Sequence, residues 1–316
     1  MRVLVTGATG FVGGHLVPAL VEAGHDVRAL VRDPARYDPP AGVDVAVGDL
    51  LDRTTLDDAL AECDAAYYLV HSMGAGDAFA ERDRTAARNF AAAADAAGVS
   101  RVVYLGGLGA DGDDLSAHLR SRREVEGVLR DADADLTVLR AAIVVGAGST
   151  GFDVVRQLAK RLPVMVTPKW VRTPCQPVAV ADVVAYLVGV LDAPATAGET
   201  YEIGGPEVLT YEAMLERTAA LMGRRLRVIP VPILSPTLSA YWIDLVTDAP
   251  KSVVRPLVRG LKNPVVADDT AIREHVPVLL TPFDEAVRDA LLAAGETPAT
   301  HGGRAGEESG DERRDA

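Results

Sequence analysis

A glycine-rich turn between a strand-like and a helix-like segment constrains the fold of this chain more than any other feature. Residues 2–6 read RVLVT, and Thr6 begins the motif TGATGFVG that extends to residue 13. Beyond the glycines, Phe11, Leu16 and Leu20 recur at helical spacing until Gly24, which is typical of a helix C-cap. Because glycines let the backbone turn tightly and approach a phosphate at a helix N-terminus, the motif predicts the first unit of a dinucleotide-binding fold.

The N-terminal half continues this alternation of strands and helices. Apolar, strand-like runs occur at 27–31, 43–50, 65–72, 101–107 and 136–146, and helices are predicted over 77–97 and 116–130. Strands that alternate with helices imply right-handed crossovers. We therefore predict an α/β fold with a doubly wound, parallel, Rossmann-type sheet.

The domain organisation is predicted from where this regularity stops. Residues 1–148 are expected to form the dinucleotide-binding domain, to which 176–206 return. Residues 149–175 and 207–295 are expected to form a smaller, mainly helical lobe over the carboxyl ends of the strands, where open α/β sheets bind ligands. Residues 296–316 hold almost no apolar side chains, so we predict a disordered acidic tail.

Composition limits the classes of partner and location. The 316 residues carry 32 basic and 45 acidic side chains, and this net charge of -13 disfavours nucleic acid and anionic membrane surfaces as partners. Only four of the basic residues are lysines, a balance typical of a salt-accumulating, halophilic microbe. The sequence has no signal-peptide pattern and no apolar run of transmembrane length, so a cytoplasmic location is expected. Cys63 and Cys175 lack metal-ligand spacing and are expected to be buried thiols, and no metal site is predicted.

The predicted cofactor contacts begin in the glycine motif. The strand, turn and helix context favours phosphate binding over glycines that serve only for turning. The expected cradle residues are Thr6, Gly7, Thr9, Gly10, Phe11, Val12 and Gly13.

The end of the second strand predicts which nucleotide is bound. A carboxylate there would accept hydrogen bonds from the adenosine ribose, whereas an arginine would pair with a 2′-phosphate. Arg32 stands at this point with Asp33 beside it, and Arg36 follows one turn later. We favour NADP(H) over NAD(H), with Asp33 capping the next turn and a solvated surface charge as the alternative for Arg36.

The next two strand ends offer further polar neighbours for the cofactor. Asp49 and Leu50 could contact the adenine, although an aspartate that forms a turn is the alternative. His71 and Ser72 follow the fourth strand and are candidates to lie beside the ribose and phosphates. A histidine with a purely structural hydrogen bond is the alternative for His71.

With these motifs the chain resembles the short-chain dehydrogenase/reductase superfamily, and within it the atypical NmrA-like NAD(P)H-binding branch. The similar stretches cover most of residues 1–295 and include TGATGFVG, LVRDP, VAVGDLLD, YYLVHSMG, HLRSRREVEGVLR, LTVLR and QPVAVADVV. The segments YWIDLVT and PLVRGLKNPVV resemble an uncharacterised bacterial and archaeal subgroup. The resemblance also implies a relationship to the nucleotide-binding accessory subunit of respiratory complex I.

The resemblance implies an altered catalytic site. Active members of the superfamily usually use a Ser or Thr after the fifth strand and a Tyr-x-x-x-Lys pair on the next helix. Here Gly106 and Gly107 occupy the hydroxyl position, His118 the tyrosine position and Arg122 the lysine position. The i, i+4 spacing puts His118 and Arg122 on one helix face, where His118 could act as acid or base and Arg122 could bind ribose hydroxyls. An exposed, solvated helical face is the alternative for both residues.

Other polar and aromatic residues have expected places. The candidates to line a substrate pocket are Arg140, Phe152, Trp170 and Gln176. Glu126 is expected to form an ion pair on its helix, and Tyr67, Tyr68 and Tyr104 are expected in the core.

Two functions follow from these residues. The first is an NAD(P)-dependent oxidoreductase that transfers hydride between NADP(H) and a small carbonyl, enone or quinone-like compound. The second is a non-catalytic NAD(P)H-binding protein that acts as a redox sensor or as an accessory subunit of a respiratory or other complex. A homodimer is expected at the level of the family.

Overall fold

A computed structural model describes residues 1–71, 79–109, 115–231 and 263–299. Its strands are β1 (Arg2–Thr6), β2 (Asp26–Val31), β3 (Asp44–Val47), β4 (Ala65–Tyr68), β5 (Arg101–Gly107), β6 (Asp135–Ala141), β7 (Val144–Val145), β8 (Val164–Pro168), β9 (Pro174–Cys175), β10 (Val178–Ala179), β11 (Thr200–Ile203), β12 (Leu209–Thr210) and β13 (Arg227–Val231). Its helices are α1 (Phe11–Glu22), α2 (Asp57–Leu60), α3 (Phe79–Ala97), α4 (Ala117–Arg130), α5 (Thr150–Arg161), α6 (Val180–Asp192), α7 (Tyr211–Leu221), α8 (Thr270–His275) and α9 (Phe283–Ala293).

The main sheet confirms the predicted α/β architecture. Seven strands lie in the order β11-β6-β5-β4-β1-β2-β3, and every neighbouring pair is parallel. Strands β2 and β3 follow β1 on one side of it, whereas β4, β5, β6 and β11 follow one another on the other side. The direction therefore reverses between β1 and β4, the place where doubly wound sheets bind ligands.

Helices cover both faces of this sheet. On one face α1 and α6 bury Leu16, Leu20 and Leu187 against the strands. On the other face α3 and α4 bury Phe90 and Leu129 in a second apolar cluster. Successive residues of a strand point to opposite faces. As expected, the strand tyrosines lie in the core, with Tyr67 in the first cluster and Tyr68 and Tyr104 in the second.

Part of the chain beyond β6 builds a smaller unit beside the sheet, whereas α6 and β11 belong to the sheet domain. Helices α5, α7 and α9 share an apolar cluster that includes Phe152, Met214 and Leu291. Strand β13 pairs with β8 and β12 pairs with β9, which gives two short two-stranded sheets. Strand β11 instead pairs with β6 in the main sheet, so part of the segment 176–206 lies in the same sheet as β1 to β6.

Two arginines bind backbone carbonyl groups inside the sheet domain. Arg28 Nη1 donates to the carbonyl oxygens of Asp58, Ala59 and Ala61 at 3.1, 2.9 and 3.0 Å. These carbonyls belong to the end of α2, where the last turn of a helix leaves acceptors without a helical partner. Arg101, which is buried, donates to the carbonyl oxygen of Val190 at 2.8 Å.

The first residues of the predicted acidic tail are held against the smaller unit. Glu296 accepts from Arg156 Nη1 at 2.6 Å and from Lys160 Nζ at 2.9 Å. The backbone N–H of Ala299 donates to the carbonyl oxygen of Leu221 at 2.7 Å. Residues 300–316 lie outside the described part of the chain. Among the described helices, none combines the length and apolar character that crossing a membrane requires.

Candidate cofactor and substrate site

The glycine turn between β1 and α1 forms a tight cradle. Gly7 has a φ of +70°, a conformation that favours glycine, and its carbonyl oxygen accepts from the N–H of Gly10 at 2.9 Å. A Cβ on Gly13 would lie 2.2 Å from that same Gly7 oxygen. In the described structure no side chain caps α1 and its first turn holds no acidic residue, so the N–H groups at the helix start are left for an anion.

Two of the predicted cradle residues do not line the cavity beside the turn. Thr6 is fully buried, and its Oγ1 donates to the carbonyl oxygen of Tyr67 at 2.9 Å and accepts from the N–H of Leu69 at 3.2 Å. Thr6 therefore ties β1 to β4. Thr9 is exposed at the tip of the turn. The five cradle residues that line the cavity are Gly7, Gly10, Phe11, Val12 and Gly13.

The cavity has a volume of about 520 Å³ and extends from the cradle to the smaller unit. The ends of β4, β5 and β6 contribute Leu69, Leu105 and Ala141 to its wall. The far wall is apolar, and its side chains are Ile143, Val154, Val155, Leu158, Met165, Trp170, Val171, Leu215 and Val265. An apolar cavity with a few polar groups is the usual form of a small-molecule site.

The two arginines that favour NADP(H) lie on the surface after β2. Arg32 and Arg36 are both exposed. Asp33 begins the 3₁₀ turn Pro34–Arg36, and its Oδ1 accepts from the N–H of Ala35 at 3.1 Å. Asp33 therefore caps the next turn, as expected, and both arginine side chains remain available at the strand end.

The segment after β3 fits the turn-forming alternative. Asp49 Oδ1 accepts from the N–H of Leu51 at 3.0 Å, and the Asp49 N–H donates to Thr55 Oγ1 at 3.0 Å. Leu50 packs in the core beneath α3, with 5% of its surface exposed. The expectation that Leu50 flanks an adenine ring is therefore corrected: its side chain fills the core. Ser72 lies outside the described residues.

Two histidines and an aspartate meet on the cavity wall. His71 follows β4, and its Nδ1 lies 3.1 Å from Oδ2 of Asp83 on α3. His71 Nε2 lies 3.0 Å from Nδ1 of His118 on α4. Ser121 Oγ donates to the same Asp83 oxygen at 3.2 Å. His71 and His118 both line the cavity, whereas Asp83 and Ser121 are buried behind them.

Burial governs the charge state of the two histidines. Burial, with the nearby Arg122 charge and His71, lowers the pKa of His118 to about 3. Burial and Arg122 also lower the pKa of His71, although the hydrogen bond to Asp83 acts in the opposite direction. Both imidazoles are therefore neutral at pH 7.

Arg122 lies on the same helix face as His118, as the i, i+4 spacing predicts. Its Nη1 donates to the carbonyl oxygen of Leu105 at 2.9 Å. Its Nε is buried and has no hydrogen-bond partner among the described residues. Arg122 and His118 both line the cavity, and neither is a solvated surface residue.

The glycines at the hydroxyl position have a steric role. A Cβ on Gly107 would lie 2.7 Å from Cδ2 of Leu119 on α4. Gly106 and Gly107 both line the cavity. A serine at position 107 would require Leu119 to move, so the close approach of α4 accompanies the loss of the hydroxyl.

Three of the four predicted pocket residues are placed elsewhere. Arg140 points away from the cavity and binds Glu126 through two hydrogen bonds of 2.7 and 3.1 Å. Phe152 is fully buried in the core of the smaller unit. Gln176 is buried and binds the backbone of Gly205 and Ala267. Trp170 does line the cavity.

Asp83 is the polar residue that sequence reasoning missed. On α3 the buried positions are Asp83, Ala86, Ala87, Phe90 and their helical repeats. A carboxylate on the buried face of a helix requires a partner, so its position on that face was the available signal.

Comparison with known proteins agrees with this geometry. Residues 7–194 match the model of a family described as NAD(P)H-binding. The chain belongs to the NAD(P)H-binding family.

Relatives of this NAD(P)H-binding protein include reductases and a complex I subunit. It is 32% identical over 234 residues to (4-alkanoyl-5-oxo-2,5-dihydrofuran-3-yl)methyl phosphate reductase of Streptomyces griseus, covering 71% of this chain and 75% of that protein. It is 28% identical over 226 residues to mitochondrial NADH dehydrogenase [ubiquinone] 1 alpha subcomplex subunit 9 of Arabidopsis thaliana, covering 67% of this chain and 56% of that protein. The expected resemblance to atypical short-chain dehydrogenase/reductases is confirmed.

A solved structure shows the same fold. The NADPH-dependent quinone oxidoreductase of Escherichia coli, complexed with NADPH, has a TM-score of 0.71 and 23% identity. The match covers 90% of this NAD(P)H-binding protein and 98% of the solved chain.

Proposed function

We propose that this protein is an NADP(H)-dependent oxidoreductase that acts on a small apolar carbonyl, enone or quinone-like compound. The observation that carries the proposal is the single cavity that joins the glycine cradle to an apolar wall of the smaller unit. Hydride transfer needs a cofactor and a substrate in contact, and one shared cavity provides for that contact. His118 and Arg122 line the same cavity.

The cradle fits a dinucleotide. Gly7, Gly10 and Gly13 leave the backbone free of Cβ atoms, and the start of α1 presents uncapped N–H groups to a pyrophosphate. Arg32 and Arg36 are exposed at the end of β2, where two guanidinium groups would bind a 2′-phosphate. The bound nicotinamide would supply or accept the hydride.

His118 is proposed as the group that exchanges a proton with the substrate oxygen. It lines the cavity, and its Nε2 makes no hydrogen bond with the described residues. Arg122 has a different role, because a guanidinium group stays protonated in proteins and does not transfer a proton. Its guanidinium group would instead place a positive charge on the cavity wall, beside an oxygen of the cofactor or the substrate.

A non-catalytic role is the second candidate, and the similarity to a complex I subunit favours it. In that role the cradle would bind NAD(P)H and the protein would act as an accessory subunit or redox sensor. The cytoplasmic location, the halophilic source and the homodimer also remain proposals, which the acidic composition and the family resemblance support.

A binding and turnover experiment tests both candidates. NADPH and NADH are titrated into the purified protein and binding is followed by nucleotide fluorescence. NADPH oxidation is then measured with benzaldehyde, 2-cyclohexenone and 1,4-benzoquinone. We expect tighter binding of NADPH than of NADH, and turnover of at least one compound.

Variants assign the proton donor in the same assay. The change His118→Ala should lower turnover about 100-fold, the usual contribution of a general acid, whereas His275→Ala on exposed α8 should leave it unchanged. Failure to bind either nucleotide would refute both candidates. Tight binding without turnover would favour the accessory role.

A further inference from the structure

The cavity histidine His118 is the outer member of a hydrogen-bonded line that extends into the protein. The line runs from His118 through His71 to Asp83, with contacts of 3.0 and 3.1 Å. The inner members of the line are progressively more buried: the side chain of His71 is 13% exposed and that of Asp83 is 4% exposed. The three residues come from three different elements: α4, the end of β4 and α3.

We propose that Asp83, His71 and His118 form a proton relay, in which His71 stores the proton beside Asp83 and His118 delivers it to the cavity as a neutral imidazole. This inference rests on the proposed oxidoreductase function and adds two positioning residues, Asp83 and His71, behind the group that contacts the substrate.

We call the relay empty when both histidines are neutral and loaded when it holds one additional proton. In the empty relay the hydrogen bonds determine which tautomer each histidine adopts. Asp83 as a carboxylate only accepts, so His71 Nδ1 carries a hydrogen and donates it. Neutral His71 then has a lone pair on Nε2, and His118 Nδ1 must donate to it. The Nε2 of His118 is consequently a lone pair in the cavity, able to accept a proton.

One added proton reverses the hydrogen bond between His71 and His118 and leaves the hydrogen bond from His71 to Asp83 unchanged. In the loaded relay His71 carries hydrogen on both nitrogens and is positively charged beside the Asp83 carboxylate. Its Nε2–H donates to Nδ1 of His118, so neutral His118 carries its hydrogen on Nε2, at the cavity. The positive charge is thus held at the ion pair, and His118 does not need to become an imidazolium.

The reaction balances with this relay. In reduction, hydride adds to the substrate carbon, the carbonyl π pair moves to oxygen, and that oxygen takes the hydrogen of His118 Nε2. At the same time His118 Nδ1 takes the hydrogen of His71 Nε2, and His71 becomes neutral. His71 loses one positive charge in this direction, and a bound nicotinamide that supplied the hydride would gain one, so the total charge is conserved. Oxidation of an alcohol follows the same steps in reverse and reloads His71.

The groups around His71 set the pH at which the relay loads. Among the described residues these are Asp83 on α3 and His118 and Arg122 on α4, and Tyr68 and Tyr104 interact in turn with Asp83 and Arg122. Both tyrosines are buried, and burial raises their pKa, so they stay neutral. Since burial and Arg122 lower the pKa of His71, the relay is mostly empty at pH 7 and loads as the pH falls. Reduction should therefore become faster, and oxidation slower, on the acid side of neutrality.

Nitrogen NMR of the histidine rings tests the relay without any turnover. The full-length protein is labelled with ¹⁵N-histidine and titrated from about pH 8 to about pH 4, the range in which histidines gain charge. We expect His71 to become doubly protonated while His118, in the same transition, changes from the Nδ1–H to the Nε2–H tautomer. Exposed His275 serves as an uncoupled reference. Independent titration of His71 and His118, or a His118 that becomes doubly protonated first, would overturn the proposal.

Two substitutions of aspartate by asparagine on α3 distinguish the effect of the Asp83 charge on the relay from a general effect of such a substitution on the helix. Asp83→Asn keeps the shape of the side chain but removes its charge, and it should abolish the coupled transition in this pH range. Asp95→Asn makes the same change at an exposed position of α3 and should leave the transition in place. Persistence of the coupled transition in Asp83→Asn would overturn the proposal.

Turnover distinguishes failure of the relay from failure of the proposed function. With NADPH and whichever of the three probe compounds is reduced, Asp83→Asn should lower kcat at least tenfold, remove the acid-side rise and leave the KM for NADPH unchanged. A pH profile that Asp83→Asn does not alter would overturn the relay while the oxidoreductase function stands. If the NMR transitions of His71 and His118 are coupled but none of the compounds is turned over, the oxidoreductase function is refuted while the relay of hydrogen bonds stands.

Discussion

Replacing Gly13 by alanine should damage both the stability of the fold and nucleotide binding. The added Cβ would lie 2.2 Å from the Gly7 oxygen, 2.8 Å from the Gly7 carbonyl carbon and 2.9 Å from Cα of Ala8. Heavy atoms that are not bonded normally stay about 3.5 Å apart, so α1 would have to move by more than about 1 Å from the turn. All three neighbours are backbone atoms, and no side-chain rotation relieves the contact.

The expected loss of stability is about 3 kcal/mol, at the upper end of the usual range for overpacking. Urea denaturation measures that loss, and NADPH fluorescence titration measures binding, which should fall at least tenfold because the cradle itself is displaced. Gly14→Ala is the matched control: its Cβ meets only the Ala8 oxygen, at 4.0 Å. That change should stabilise the protein by up to about 1 kcal/mol through helix propensity. If Gly13→Ala binds NADPH normally and unfolds like the parent, the close-approach argument is wrong.

Two further predictions concern charge. Changing both Arg32 and Arg36 to alanine should weaken NADPH binding at least tenfold, since one charged hydrogen bond contributes about 1.5 kcal/mol or more, and should leave NADH binding unchanged. Fluorescence titration against Arg225→Ala, an exposed arginine of the smaller unit, checks this, and equal losses for both nucleotides would contradict it. His118 also makes stability depend on pH, because its pKa falls from 6.5 to about 3 on folding. Between these two values the histidine is protonated in the unfolded chain and neutral in the folded chain, so acid favours unfolding. The stability that this shift provides above pH 6.5 is therefore lost as the pH falls towards 3. Between pH 7 and about pH 5, urea denaturation of the parent protein should show a loss of unfolding free energy about 1 to 2 kcal/mol larger than that of His118→Gln. Equal losses in the two proteins would contradict the lowered pKa of His118.

The fold was predictable because its signals are local. The strand before Gly7 and the helix after Gly10 are each specified by neighbouring residues, and the parallel order follows from their alternation. The exposed arginines at the end of β2 were predictable for the same reason, since strand order alone places them at the binding edge.

The sequence could not predict which side chains face the cavity, because this depends on the direction in which each side chain points from its strand or helix. In β6, Leu139 points to the face covered by α1 and α6, so its neighbour Arg140 points to the other face and meets Glu126 on α4. The sequence places Arg140 at a strand end but does not say which face borders the cavity. His71 and His118 are separated by 47 positions, and they meet only because β4 and β5 are adjacent strands.

The arginine contacts inside the sheet domain bear on how this protein would behave in concentrated salt. At 1 M salt the Debye length is about 3 Å, so exposed ion pairs such as Arg273 with Asp269 are strongly weakened. Arg28, Arg101 and Arg122 also donate to uncharged carbonyl groups at 2.8 to 3.1 Å, although Arg28 Nε forms an ion pair with Asp44 as well. Because a carbonyl group carries no net charge, screening by mobile ions should weaken such charge–dipole contacts less than it weakens an ion pair. A lysine has one ammonium group and no planar fork, and it would not hold three carbonyls of one helix end as Arg28 does. The abundance of arginine over lysine thus gives the fold side-chain hydrogen bonds to backbone carbonyl groups that should depend less on salt than its ion pairs do.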